Sequence, residues 1–258
     1  MFLDPDNSEG LPVSSAQPRP EAGQRVAEKV TALAEQLANA GPREIVETAV
    51  RAHAGRLAVV SSFGTESAVL LKYVADIDPS LPVLFLDTLW LFKETLAYRD
   101  ALVKRLGLTD VRTVTPSPSA LALRDPKHDL AFRDREACCS IHKVAPLAQE
   151  IAAFDAWMSG RKRYHGGERT QLPIVETDGP RIKFNPLARL SRPELNAVFA
   201  AAKLPRHPLE SLGFTSVGCV PCTHKPAQGG SVRDGRWSGL GKTECGIHLG
   251  PLPSPVEP

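Results

Sequence analysis

Apolar positions along the chain follow two rhythms. Between residues 22 and 38, Val26, Val30, Leu33 and Leu37 recur at helical spacing, which predicts an amphipathic helix, and Ile45 to Ala54 reads as a second one. The pattern then tightens into short, continuous apolar runs. Leu57–Ser61 and Pro82–Leu86 read as buried strands and Val111–Thr115 as a third strand, with weaker strand signals at Ala153–Ser159 and Ile182–Phe184. Helical patterns over Ser67–Ala75 and Phe92–Leu106 alternate with them. Such alternation predicts an α/β fold: one doubly wound, mostly parallel sheet covered on both faces. Ser191 with Glu194 three positions on, and Pro193 between them, is a capping box opening a helix over Leu195–Ala202.

After Pro205 the periodicity fades into glycine, proline, cysteine and basic residues. Residues 205–248 lack the apolar pattern for a core of their own. They are expected to lie across the 22–204 domain and to be held there by a metal. The stretches 1–21 and 249–258, Pro-rich and without periodicity, read as disordered tails.

The 258 residues are 42% hydrophobic and 23% charged with a formal net charge of +2. That balance gives no general attraction to nucleic acid or to a membrane surface. No apolar run approaches the length of a membrane span, and the first residues lack the apolar stretch of an export signal. These features predict a cytoplasmic protein with reduced thiols. Its five cysteines then need a role other than disulfide bonding.

Cys138-Cys139 and Cys219-x-x-Cys222 supply two pairs, and four thiolates suit either zinc or a cubic iron–sulfur cluster. A vicinal pair makes an awkward zinc knuckle, which favours iron–sulfur. Read in isolation, Cys138 and Cys139 would be small buried apolar residues. Cys245 stands apart, among glycines and near Lys242 and His248. A thiol beside cations ionises readily and reacts as thiolate. Its place near the carboxyl end would let it move with a mobile segment.

Ser61-Ser-Phe-Gly-Thr-Glu-Ser67 links the first strand to the following helix, a junction whose amides and hydroxyls suit an anion. It lacks the Gly-Lys-Ser/Thr of a Walker loop, and an ordinary strand-to-helix turn capped by serine would look similar. Leu86-Asp87-Thr88 ends the second strand, at the carboxyl edge where open α/β sheets bind ligands. Candidate cations are Lys143, Arg161, Lys162, Arg163, Arg169, Arg233 and Arg236. A basic run is often only a solvated face, but Gly160-Arg-Lys-Arg163 directly follows an expected strand, and Arg233 and Arg236 precede the lone cysteine.

Taken in order, Ser61-Ser-Phe-Gly64, Leu86-Asp-Thr88, Cys138-Cys-x-x-x-Lys-Val144, Trp157-x-x-Gly160, Val217-Gly-Cys-x-Pro-Cys-Thr223, Gly235-Arg-Trp237 and Lys242-Thr-Glu-Cys-Gly-Ile-His248 resemble the sulfonucleotide reductases, and among them the adenylyl-sulfate branch. The resemblance spans residues 57–248. It implies the adenine-nucleotide α-hydrolase fold, related to PP-loop pyrophosphatases. It implies one 4Fe–4S cluster on Cys138, Cys139, Cys219 and Cys222, and nucleophilic attack by Cys245. It also implies reduction of adenylyl sulfate to sulfite and AMP through an S-sulfocysteine, with thioredoxin or a similar dithiol as reductant. By the same resemblance Lys143 and His248 join Cys245 as catalytic residues. Substrate contacts are expected from Ser61, Ser62, Phe63, Gly64, Leu86, Asp87, Thr88, Gly160, Arg163, Arg169, Arg233 and Arg236. Members using 3′-phosphoadenylyl sulfate typically lack both cysteine pairs, which favours adenylyl sulfate, although some cluster-bearing members take both. A homo-oligomer is compatible with all of this.

The chain departs from the family pattern in places. His142 stands where many members carry arginine, and Arg161-Lys-Arg163-Tyr-His-Gly-Gly167 replaces the commoner Leu-Arg-Arg-Glu-Gln-Ser. The loop before Cys245 is slightly short. Two other readings compete. A PP-loop enzyme thiolating tRNA would need a Ser-Gly-Gly-x-Asp-Ser loop and a nucleic-acid patch. A metal-binding, redox-sensing module would leave Cys245 and the basic residues without a role.

Overall fold

The computed structural model describes residues 21–237 and 244–253; the expected tails at 1–20 and 254–258, and Lys242, lie outside the described residues. At the centre is a six-stranded sheet of β1 (Leu57–Ser61), β2 (Val83–Leu86), β3 (Val111–Val114), β4 (Ala156–Ser159), β5 (Val175–Asp178) and β6 (Arg181–Phe184). Their spatial order is β3-β2-β1-β4-β6-β5, and every pair is parallel except β5 with β6. From β1 the chain winds outward through β2 and β3, then returns to β4 on the other side. The switch point of this topology therefore falls between β1 and β4. There two crossovers leave in opposite directions and open a crevice beyond the carboxyl ends.

Helices α1 (Glu21–Gln36), α2 (Pro42–Ala52), α3 (Ser67–Ile77), α4 (Lys93–Leu106), the short α5 (Pro118–Arg124), α6 (Leu130–Arg133), α7 (Arg135–Cys139), α8 (Ala145–Ile151), α9 (Arg192–Ala201) and α10 (Pro208–Ser211) complete the fold. The inner strands β1, β2, β4 and β6 are buried throughout because both faces are covered, whereas edge strands β3 and β5 keep exposed residues. On one face Val59, Val83, Phe85, Met158 and Phe184 pack with Leu71 and Val74 of α3, Leu102 of α4 and Phe199 of α9. On the other, Ala58, Val60, Leu84 and Trp157 pack with Leu147 and Ile151 of α8.

Ile247 and Leu252 belong to that second core, each less than a tenth exposed. The expectation of a disordered tail from residue 249 is therefore corrected for 249–253. Burial of Leu252, the Leu252 N–H donated to Asp178 Oδ1 at 2.8 Å, and contact of Pro251 at the Gly179 turn fix this stretch. The strand expected over 153–159 starts only at Ala156, because residues 152–155 turn out of α8 and Phe154 closes that turn. The capping box at Ser191 and Glu194 is present in both directions.

Between β3 and β4 the chain makes four short helices, an arrangement not expected from the periodicity. The last two are joined through a single π-turn, Ser140–Val144, one residue wider than an α-turn. Residues 205–237 have little regular structure and are tied to the domain by scattered bonds. Tyr98 Oη donates to Pro205 O, Thr65 Oγ1 to Thr215 O and Val220 N to Trp90 O.

Asp178 is the fastening point at the sheet's end. One oxygen receives Trp157 Nε1 at 2.8 Å and the other receives the Leu252 amide. Asp178→Ala should leave both buried donors without partners, at a cost of about 2 kcal/mol. Urea denaturation should show that loss, and limited proteolysis should then cut first within residues 249–253.

Candidate active site

Four thiols arrive from two distant segments. Cys138 and Cys139 end α7. Cys219 and Cys222 flank the 3₁₀ turn Val220–Cys222, which is seated by an antiparallel bridge between Leu91 and Cys219. All four line one small cavity with Trp90, Arg135, His142, Lys143 and Pro221, and Thr88 Oγ1 lies 3.1 Å from Cys219 Sγ. Among the described residues no group of three or more His, Cys, Asp or Glu is spaced to hold a single metal ion. Four thiols set around one shared cavity are a donor set that fits a group taking one ligand at each of four corners.

His142, on the π-turn after the vicinal cysteines, is buried behind the thiol cavity. Its ring lies between Thr88 O at 2.9 Å and the buried Asp125 carboxylate at 3.2 Å. It steadies Thr88 from behind instead of reaching a sulfur itself.

Beside this cavity lies a cleft of about 180 Å³ at the switch point between β1 and β4. Its floor is the Ser61–Ser67 loop. There Phe63 takes a left-handed backbone (φ 47°), which sends its ring into the core against Phe85 at 5.3 Å and leaves Ser61, Ser62 and Gly64 on the cleft. A Cβ on Gly64 would stand 3.1 Å from Val217 O, so glycine permits the close approach of the later segment. Ser159 and Gly160 at the end of β4 form the opposite floor, and Leu86 and Thr88 a side wall.

The upper wall comes from the later segment. Trp237 is 3% exposed and lies between the guanidinium groups of Arg233 and Arg236, 5.0 and 4.5 Å from its ring centre. Arg236 passes directly over Gly218, where a Cβ would collide with it, and Arg236 Nε donates to Cys222 O at 3.1 Å. The thiol cavity and the cationic wall are thus one piece of backbone.

Cys245 Sγ faces both. Lys143 Nζ is 3.6 Å away, on the π-turn that follows the vicinal cysteines. The Cys245 thiol is held well below its ordinary pKa by a hydrogen bond with Cys139, by Lys143, by the Ile247 N–H and by Arg236, together outweighing burial. Burial alone would neutralise the Lys143 ammonium, but the sulfurs of Cys219, Cys245 and Cys139 outweigh it and keep the lysine charged.

Glu244 organises the neighbouring cations. It is 2% exposed, receives Arg169 through both carboxylate oxygens and Arg233 Nη2 at 3.3 Å, and accepts the Cys245 N–H at 2.8 Å. Burial would raise its pKa, but Arg169, Arg233 and the Cys245 amide bring it down to about 2. Glu66, at the start of α3, similarly gathers Lys162, His165 and Tyr164.

Ser61, Ser62, Gly64, Leu86, Thr88, Lys143, Gly160, Arg169, Arg233, Arg236, Cys245 and His248 all line the cleft. The side chains of Phe63, Asp87 and Arg163 do not. Phe63 fills the core, Asp87 Oδ1 receives the Leu89 amide at 2.9 Å, and Arg163 Nε donates to Leu172 O at 2.9 Å. His248 lies in the cleft but not as a cation. Its ring stacks parallel to Trp157 at 6.1 Å, and burial, then Lys183, Arg161, Arg169 and Arg233, hold it far below its usual pKa. It is a neutral imidazole with a buried, unpartnered Nδ1. Sequence reasoning passes over Glu66, Glu244 and Trp237. The only available signal for the last two is their place inside the family-like motifs.

A family model described as the phosphoadenosine phosphosulfate reductase domain matches residues 56–225. The chain belongs to this family. It is 49% identical to the adenosine 5′-phosphosulfate reductase of Chelativorans sp. (strain BNC1), covering 80% of this chain and 84% of that one. With the protein of that name from Mesorhizobium japonicum it shares 44% identity over 92% of this chain and 96% of the other. Among solved structures, phosphoadenylyl-sulfate reductase from Candida auris superposes with a TM-score of 0.63 at 22% identity, covering 75% of this chain and 95% of that one. FMN adenylyltransferase from Candida glabrata gives 0.52 at 16%, covering 80% and 74%. At such identities the two structures show a shared fold, the mostly parallel α/β sheet expected from the strand–helix pattern.

Because the Glu244 pKa is depressed, its contribution to stability is complete above its ordinary value of 4.5 and is lost as the pH falls through about 2. Glu244→Gln should therefore be less stable than the natural protein at neutral pH. The difference should narrow as the pH falls from about 4.5 toward about 2 in urea titrations.

Proposed function

We propose that the chain is an adenylyl-sulfate reductase of sulfate assimilation, using Cys245 as nucleophile and a 4Fe–4S cluster as a resident structural and electrostatic group. The observation that carries this reading is the Cys245 thiol on the wall of a cationic cleft, at the carboxyl edge of a nucleotide-binding sheet, 3.6 Å from a lysine ammonium. Names of relatives at 44–49% identity support the same substrate.

The adenosine would lie across the crevice between Ser61–Gly64 and Leu86–Thr88, and the phosphosulfate would point toward Lys143, Arg233 and Arg236. Attack by the Cys245 thiolate on the sulfur atom forms an S–S bond and breaks the S–O bond to phosphate. AMP leaves with that electron pair, and the arginines offset its growing charge. His248, neutral in this setting, serves as a hydrogen-bonding group rather than a charge. The product is S-sulfocysteine on Cys245. A dithiol protein of the thioredoxin type then attacks the Cys245 sulfur and expels sulfite. Its second thiol resolves the mixed disulfide, so two electrons come from the dithiol and Cys245 returns as thiol.

Cys138, Cys139, Cys219 and Cys222 would hold the cluster, whose thiolate-rich charge would be balanced by Lys143 and which would join residues 219–222 to α7. The electron count closes without any change in its oxidation state. The five cysteines are free of disulfides, and the need to keep them so argues for a reducing compartment, the cytoplasm. Among the described residues no helix is long and apolar enough to cross a membrane.

Mass spectrometry after mixing with adenylyl sulfate, without reductant, should show a sulfite-sized adduct on Cys245. Cys245→Ser should keep the brown colour and bind AMP yet gain no adduct; turnover by that variant would remove the nucleophile from this scheme.

Cys139→Ser should instead lose iron and acid-labile sulfide together with most of its soluble yield. A protein that purifies with zinc in place of iron would overturn the cluster assignment. The relative from Gloeobacter violaceus, named phosphoadenosine 5′-phosphosulfate reductase, is 37% identical over 84% of this chain. Competition between adenylyl sulfate and its 3′-phosphorylated form decides how strictly this cleft discriminates.

A further inference from the structure

Among the imidazoles that the mechanism leaves unused, His165 is the one that lines the cleft. His165 lies at the end of the 3₁₀ turn Arg163–His165, in the segment where the chain departs from the common family pattern. Gly166 and Gly167 follow, both left-handed (φ 72° and 58°), and fold the next turn back so that Arg169 faces His165. Arg169 Nη1 lies 3.1 Å from His165 Nδ1, and His165 Nε2 lies 2.8 Å from Glu66 Oε2. The histidine side chain is only 8% exposed.

Hydrogen-bond directions fix its state. A guanidinium only donates, so Nδ1 must accept. A carboxylate only accepts, so Nε2 must carry the proton. One neutral tautomer satisfies both neighbours, whereas a protonated ring would set Nδ1–H against Arg169. In agreement, burial first, then Lys162 and Arg169, bring the His165 pKa down to about 4 despite Glu66.

On one side the connection runs from Glu66, at the end of the serine loop, to His165. On the other it runs from Arg169 through both oxygens of Glu244 to the Cys245 N–H. It joins the two halves of the cleft through partners that are all largely buried. We propose that His165 is a positioning residue for the proposed sulfonation step: as a neutral bridge from Glu66 to Arg169, it sets the guanidinium that grips Glu244 and, through Glu244, the backbone of Cys245. The inference rests on Cys245 being the nucleophile. His165 lines the cleft beside Glu66 and Arg169, and its bridge acts on Cys245 through Arg169 and Glu244, so the defect predicted is larger in thiol alignment than in nucleotide binding.

The test is single-turnover formation of the Cys245 sulfite adduct from adenylyl sulfate, with the AMP dissociation constant measured separately. In His165→Leu, of similar bulk but with no polar atoms, adduct formation should slow by about tenfold or more, since small misplacements of reacting groups are costly. AMP affinity should stay within about threefold. His165→Gln can donate to Glu66 and accept from Arg169, so it should recover most of the rate. Combining His165→Leu with Glu244→Gln should slow the reaction no further than the slower single variant, as members of one connection do.

A natural rate in His165→Leu, a Gln variant as slow as the Leu variant, or multiplied effects in the double variant would each overturn the proposal. Should His165→Leu fail to fold, His165→Asn, too short to span both partners, takes its place against His165→Gln: a slow Asn variant beside a fast Gln variant supports the bridge, and equal rates overturn it. If the natural protein itself forms no adduct, the nucleophile assignment fails; if it does and these variants match it, only the role of His165 fails.

Discussion

Positive charge crowded into a small, poorly hydrated volume is the constraint that this structure must satisfy. Lys143, Arg161, Lys162, Arg169, Arg233 and Arg236 all line one cleft, and several of them are pulled toward neutrality by burial. All but Arg236, which donates to the Cys222 carbonyl and lies over Trp237, are matched to a specific anionic or sulfur partner. Arg161 has Glu176, Lys162 has Glu66, Arg169 and Arg233 share Glu244, and Lys143 stands among sulfurs. Breaking one such buried pair leaves a charge uncompensated, which is far more costly than losing a surface salt bridge. The arrangement keeps the guanidinium groups oriented while the cleft awaits an anionic ligand. Electrostatic stabilisation of a leaving group gains most from such fixed charges.

That constraint explains why two segments far apart in sequence must be assembled together. Residues 138–143 supply two thiols and the lysine. Residues 217–245 supply two more thiols, the arginine pair around Trp237, and the lone cysteine. The second segment has almost no core of its own. It is stabilised by what it borrows: packing of Trp90 and Leu91 against its cysteines and Trp237, the Val220 N–H bond to Trp90 O in the loop after β2, and the sulfur-lined cavity. Chemistry and local folding are therefore the same problem for this part of the chain.

The parallel sheet was legible in the sequence because β1, β2 and β4 are buried on both faces and so appear as unbroken apolar runs. The short helices between β3 and β4 were not. Pro118, Pro126 and Pro146 interrupt the helical period, and the π-turn shifts its phase by a residue. Strand β5 was missed because, as an edge strand carrying Glu176, Thr177 and Asp178, it looks polar. At the site, cysteines and basic residues stand out by type and spacing. Glu66 and Glu244 do not, since an isolated acid is usually a solvated one and only the fold reveals its burial. Phe63 shows the reverse. It sits inside a motif that handles ligands, yet its side chain serves the core so that its neighbours can face the cleft. Arg163, the last of a basic run, satisfies a loop carbonyl instead of an anion.

Anchoring of residues 247–252 in the second core sets a leash on the reactive sulfur. Ile247 is seated beneath the sheet and lies only two residues beyond Cys245. A fully stretched chain covers about 3.5 Å per residue, so the Cys245 backbone stays within about 7 Å of Ile247 while that residue keeps its place. The thiol thus cannot swing out to meet a distant protein. A macromolecule that is to reach it must insert its own reacting atom into the cleft, or first lift Ile247 and His248 away from Trp157.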